Sequence, residues 1–125
     1  MKLTGSAIIL QDKLLRYLLI PRGESDKSKF LASAGYTLVN HALLERDLRR
    51  LIENNEISHV ETSPYGIKYE VRGTLNGPNG RVLHIVTIWI TTSANGETRF
   101  VTLFPDRKQT NDSIQSQTLS KNIFD

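Results

Sequence analysis

Gly66-Ile67-Lys68-Tyr69-Glu70-Val71-Arg72-Gly73-Thr74-Leu75 is where the chain changes period. Ile67, Tyr69, Val71 and Leu75 alternate with Lys68, Glu70, Arg72 and Thr74, the pattern of a strand buried on one face only. Asn76-Gly77-Pro78-Asn79-Gly80 follows as dense turn chemistry. Residues 81–92 are β-branched and apolar on both parities, as suits a central strand. Ser93-Ala94-Asn95-Gly96 makes a second turn, and a third strand over 98–104 is closed by Pro105.

Upstream the spacing is helical. Leu14, Leu15, Leu18 and Leu19 predict a helix over 13–19, capped by Asp12 and ended by Pro21. Arg22 to Asp26 reads as a loop, with Ser25 or Asp26 capping a second helix through Ala34 that Gly35 terminates. Asn40 caps a third, over 41–53, in which Leu44, Leu48, Leu51 and Ile52 form one apolar stripe. Its outer face of Glu45, Arg46, Arg49, Arg50 and Glu53 reads as solvated. Ala7 to Leu10 is either a short buried strand or an extended entry segment. Helices first and strands second predict an α+β fold, with N-terminal helices on one face of an antiparallel β-meander of three to four strands. Residues 1–106 make a single domain of this kind, and 107–125 read as a polar, mobile tail able to order on a partner.

The chain of 125 residues contains no cysteine, which excludes a disulfide scaffold, a thiol nucleophile and cysteine-based metal sites. A reducing cytoplasm fits. No apolar run approaches the roughly 18 residues of a membrane span, so no membrane role is expected. His41, His59 and His84 are not spaced as metal ligands, and no acidic cluster offers a cation site, so neither metal nor cofactor is implied. The net charge of +3 is unevenly spread. Residues 1–29 and 62–108 each hold six basic and three acidic groups, whereas 41–61 hold three and five. Two basic segments flanking an acidic helix make a polyanionic partner plausible.

The turns set a register. A four-residue loop at 93–96 pairs Thr92 with Glu97 and brings Trp89 opposite Phe100 and Thr87 opposite Thr102. A four-residue first hairpin pairs Leu75 with Gly80 and brings Lys68 opposite Thr87 and Arg72 opposite Leu83. One sheet face then carries Lys68, Glu70, Arg72, Arg81, Thr87, Thr102, Trp89 and Phe100. The other carries Ile67, Tyr69, Val71, Val86, Ile88, Val101 and Leu103 as the core, with His84 on that side too. A face of cations, hydroxyls and rings can hold phosphates and stack unpaired bases. Strand threonines and a sheet tryptophan are as often plain packing.

The phrases Asp12-Lys13-Leu14 … Tyr17-Leu18-Leu19, Asp26-Lys27 … Phe30 … Gly35-Tyr36, Lys68-Tyr69-Glu70-Val71 … Gly77-Pro78-Asn79-Gly80-Arg81, Val86-Thr87-Ile88-Trp89-Ile90 and Arg99-Phe100-Val101-Thr102 … Pro105 carry a resemblance. Over roughly residues 5–106 the chain resembles a small bacterial domain family of unknown function, found alone or at the C-terminus of large secreted toxins. The family in turn looks like the barnase–EndoU–colicin–RelE group of metal-independent ribonucleases. The resemblance implies an endoribonuclease toxin domain that uses the substrate's own 2′-hydroxyl. It implies RNA as partner, together with a small acidic antitoxin or immunity protein. In that reading Lys68 and Arg81 stabilise the phosphorane, Thr87 and Thr102 position the phosphate, and Glu70 accepts a proton. Trp89 and Phe100 stack a base, while Lys27, Arg72 and Arg99 add cations along the RNA path. The alternatives are a non-catalytic nucleic-acid-binding or protein-interaction module using the same face, or an interaction protein whose tail docks on a partner.

Overall fold

The computed structural model describes residues 1–3, 6–19 and 27–107. The loop expected over Arg22–Asp26 and the tail beyond Arg107 lie outside the described residues. A single turn α1 (Gln11–Lys13) widens into a π-helical stretch (Leu14–Leu18), and α2 (Lys27–Ala32) and α3 (His41–Asn54) follow. Four strands complete the order: β1 (Ile57–Ser63), β2 (Gly66–Asn76), β3 (Val82–Thr92) and β4 (Thr98–Pro105). They form one antiparallel sheet in sequence order, and the fold is α+β as expected.

The core lies between the helices and one sheet face. Leu14, Leu18, Leu31, Leu44, Leu48 and Ile52 meet Val71, Leu75, Ile85, Trp89, Phe100 and Leu103 there. Tyr36 and Asp47 share it: the phenol donates to Asp47 Oδ2 at 2.6 Å and reaches the Asn76 carbonyl at 3.3 Å. Burial, then the bond to Asp47, pushes the Tyr36 phenol far above its ordinary pKa. The helix caps differ from expectation. Asp12 sits inside the first turn beside Arg16, 3.9 Å away, and Leu10 holds the cap position. Asn40 caps nothing with its side chain, which instead accepts from Thr37 N–H and donates to the Gly35 carbonyl. Gly35 does adopt the left-handed conformation expected of it, with φ 98°.

The first hairpin corrects the register. Its loop spans five residues rather than four, so Asn76 pairs with Val82 and Leu75 with Leu83. Gly77 N–H closes the loop on the Arg81 carbonyl, and Asn79 N–H reaches back to the Ala34 carbonyl at the end of α2. The slide is an odd number of residues, so β3 is turned over relative to β2. Lys68, Glu70 and Arg72 stay on the open face, now beside Ile90, Ile88 and Val86. Leu83, Ile85, Thr87 and Trp89 go to the helices. Val86 and Ile88 are therefore not core partners of the helices, Ile67 is exposed, and His84 is exposed on the open side rather than buried. Either parity of β3 is apolar enough to bury; the parity with Trp89 removes more apolar surface from water.

Candidate functional site

Two bulges shape the open face. In β1, Ile57 pairs with Val71 but His59 pairs with Glu70, which leaves Ser58 as an inserted residue. In β4, Phe100 pairs with Trp89 but Thr102 pairs with Ile88, which leaves Val101 inserted. An inserted residue reverses the facing of everything beyond it. Ile57 accordingly packs against the core while His59 turns outward, and Phe100 stays in the core while Thr102 turns outward. A straight row now crosses the sheet: His59, Glu70, Ile88, Thr102. At about 4.8 Å per strand its ends are about 14 Å apart. Glu61 and Lys68 form the neighbouring row.

These residues line a groove of about 290 Å³, with His59, Glu61, Lys68, Glu70, Ile88 and Thr102 among its walls. Ser58 supports it from the bulge, its hydroxyl donating to Glu70 Oε2 at 2.8 Å. Arg72 Nε donates to the same oxygen at 3.0 Å, and its Nη1 reaches Asp106 at 2.8 Å. The bond to Asp106 holds the Arg72 guanidinium above its ordinary pKa. Both described bonds to the Glu70 carboxylate fall on Oε2. At the far end Thr102 shares a hydrogen bond of 3.2 Å with the Tyr17 hydroxyl, and Lys13 Nζ lies 5.2 Å from the Tyr17 ring centroid. The helical N-terminus thus brings a phenol to the hydroxyl at the groove's end.

Of the residues singled out from sequence, Lys68, Glu70 and Thr102 come together in the groove, with Arg72 behind Glu70. Thr87, Trp89 and Phe100 do not. Thr87 is completely buried, donates to the Val71 carbonyl and accepts from Trp89 Nε1, both at 2.8 Å. Trp89 and Phe100 pack edge to face in the core, their centroids 5.2 Å apart. None of the three can touch a ligand on the open face. Arg81 sits in the hairpin loop, about 23 Å along the sheet from Glu70 at 3.3 Å per residue. Arg99 lies beyond Ile90 in the Lys68 row, paired with Glu97, and Lys27 opens α2; neither lines the groove. His59, Glu61 and Tyr17 were missed. A lone histidine in a short, exposed, bulged strand carries no periodic signal, and nothing local ties Tyr17 to a threonine 85 residues on. Among the described residues no cluster of His, Asp and Glu is arranged to hold a metal, and no helix is long and apolar enough to cross a membrane.

Residues 2–107 match a protein family described as a domain of unknown function, DUF6883. The chain belongs to that family. No curated protein matches the sequence. Among solved structures, a chain from a contact-dependent growth inhibition toxin–immunity protein complex of Klebsiella pneumoniae 342 is similar. The match has a TM-score of 0.60 and 19% identity, and covers 80% of this chain and 100% of that one. At that identity the likeness is one of fold, so this DUF6883 member shares an architecture with a protein of a toxin–immunity complex.

Proposed function

We propose that this DUF6883 domain is a toxin domain that cleaves RNA through the substrate's 2′-hydroxyl, using the groove on the open sheet face. The observation that carries the reading is the pair of bulges. Two separate strands each spend an inserted residue to aim a polar side chain, His59 or Thr102, into one groove that already holds a carboxylate and an ammonium. Bulges are a common device for re-aiming side chains at sites. The membership and the toxin–immunity neighbour support the toxin context, and the same context supports an immunity protein as partner.

The chemistry needs a base, an acid and a cation. Glu70, whose described hydrogen bonds all fall on Oε2, takes the proton from the 2′-hydroxyl on Oε1. The 2′-oxygen attacks phosphorus, and the bond from phosphorus to the 5′-oxygen breaks. His59, one strand away, returns a proton to that oxygen. The products are a 2′,3′-cyclic phosphate and a 5′-hydroxyl. Lys68 stabilises the charge on the phosphorane, and Thr102, oriented by Tyr17, donates to a phosphate oxygen. Arg72 is offset by Asp106, so the groove's own charged walls are Glu61, Glu70 and Lys68, and the acid form of His59 brings them to neutrality and favours binding of the phosphate.

Purified protein should cut single-stranded RNA in EDTA, leave 2′,3′-cyclic ends and spare DNA. Lys68→Ala and His59→Ala should each lower the rate by about 10² or more. Cleavage indifferent to both substitutions refutes the roles of Lys68 and His59. Tight RNA binding with no cleavage of several cellular RNAs would instead make the domain a binding module.

A further inference from the structure

At the free edge of β2, beside α3, lies a second, polar cleft of about 390 Å³ that the proposed chemistry does not use. β1 ends opposite Val71, so the stretch of β2 beyond it has an open edge, and the last turns of α3 cross there. Gly73 permits the crossing. A Cβ at that position would lie 2.7 Å from Asn55 Nδ2 and 2.9 Å from Leu51 Cγ. Arg46, Arg50 and Asn54 from the helix face Thr74 and Asn76 from the strand across the cleft, with Asp47 at its base.

The charges of this cleft are not spent alike. Arg46 Nε lies 3.2 Å from Asp47, whose other oxygen takes the Tyr36 phenol. Arg50 is exposed and makes no ion pair among the described residues. The cleft therefore keeps one uncompensated guanidinium, a planar donor suited to a phosphate's oxygens. The amides and hydroxyl around it offer both donors and acceptors, which a bare anion does not need and a ribose or base edge does.

Lys68, Glu70, Arg72, Thr74 and Asn76 are alternate residues of one strand and so share a face. The first two line the groove and the last two line the cleft, with Arg72 between. Glu70 and Thr74 are about 13 Å apart at 3.3 Å per residue, within reach of a strand a few nucleotides long. We infer that the cleft under Arg50 is a second RNA subsite, holding a phosphate and its nucleoside a few nucleotides from the bond cut in the groove. The inference rests on the RNA-cleaving reading for its ligand and deepens it: the substrate is an extended single strand.

Fluorescence anisotropy of the full chain with a single-stranded RNA of about eight nucleotides, and with a dinucleotide, across a salt series tests it. Arg50→Ala should weaken octamer binding about tenfold and lower the salt slope by about 0.7, the share of one phosphate on a single strand. Dinucleotide binding should not change. Lys2→Ala, the same loss of charge at an exposed residue beside Glu56, should leave both within about twofold. Equal loss with both RNAs, no loss with either, or no octamer binding by the wild type overturns the subsite. An effect of Arg50→Ala on a protein partner but not on RNA overturns it too. Binding with the expected Arg50 dependence but no cleavage leaves the subsite standing and removes the catalytic reading.

Discussion

Replacing Thr87 by Val separates the observed sheet from the register that the turns suggest. The two side chains have nearly the same shape, so packing is preserved. The hydroxyl, however, accepts the Trp89 indole N–H at 2.8 Å and donates to the Val71 carbonyl at 2.8 Å, all at zero exposure. The carbonyl can take a second partner, but the indole proton has none left and is shut away from water. A buried donor without an acceptor costs about 1–3 kcal/mol, so about 2 kcal/mol is expected. With m near 1–3 kcal/mol/M for a domain of this size, the urea midpoint should fall by about 1 M. Trp89→Phe removes the proton as well as ring area, so its cost should be about 1 kcal/mol smaller in the Thr87→Val background than in the wild type. RNA cleavage should stay unchanged under native conditions, since Thr87 lies on the helix side. If Thr87 stood on the open face, the substitution would cost almost nothing in stability and would impair the site. A midpoint shift below roughly 0.3 M, or loss of cleavage in a folded variant, refutes the placement.

Two further expectations concern the frame. A Cβ at Gly77 would sit well inside contact distance of the Ala34 carbonyl oxygen, which is backbone and cannot swing aside. Gly77→Ala should therefore cost about 2 kcal/mol or more, seen as a lowered thermal midpoint; a change below about 0.5 kcal/mol would mean the hairpin does not dock on α2. Tyr36 stays protonated in the folded state well above the pH near 10 at which a free phenol ionises. Below that pH the unfolded and folded chains hold the same proton. Above it the unfolded chain loses its proton first, so this group's contribution to stability falls as pH rises. Denaturant midpoints measured from pH 8 to 11 should decline, and Tyr36→Phe, less stable at pH 8, should decline less steeply; parallel curves would sink the assignment.

The helices and three of the strands could be read from residue order because their signals are local. Leucines at helical spacing and the alternation from Ile67 to Leu75 need no knowledge of the rest of the chain. The second hairpin was equally legible as far as Trp89 and Phe100, since a short Gly-containing turn fixes its own pairing. The rest failed for identifiable reasons. The five-residue loop after Asn76 is set partly by a hydrogen bond from Asn79 to the distant Ala34, which turn chemistry cannot announce. β3 offers an apolar set on each parity, so hydrophobic pattern could not veto the wrong one. β1 escaped notice because Ser58 breaks its alternation and nearly all its side chains are exposed. Lys68 and Glu70 were consequently visible, Thr102 was put on the right face by a register that lacked its bulge, and His59 and Tyr17 are brought to the groove only by the β1 bulge and by tertiary contact.

The segment before α1 lies alongside β4 rather than among the helices. Ile8 N–H donates to the Thr98 carbonyl and its own carbonyl accepts from Phe100 N–H, both at 2.8 Å, while Arg49 grips the Ala7 carbonyl. The strand it joins is about ninety residues further along the chain. It can therefore dock only after the rest of the domain has been made, and closing so long a loop carries its own entropic delay. Until it docks, the start of β4 from Thr98 to Phe100 offers open backbone donors and acceptors to any extended chain nearby. Biogenesis of the domain thus has a vulnerable interval that ends when the segment carrying Ile8 folds over the last strand, and residues 6–10, far from any chemistry, set how long it lasts.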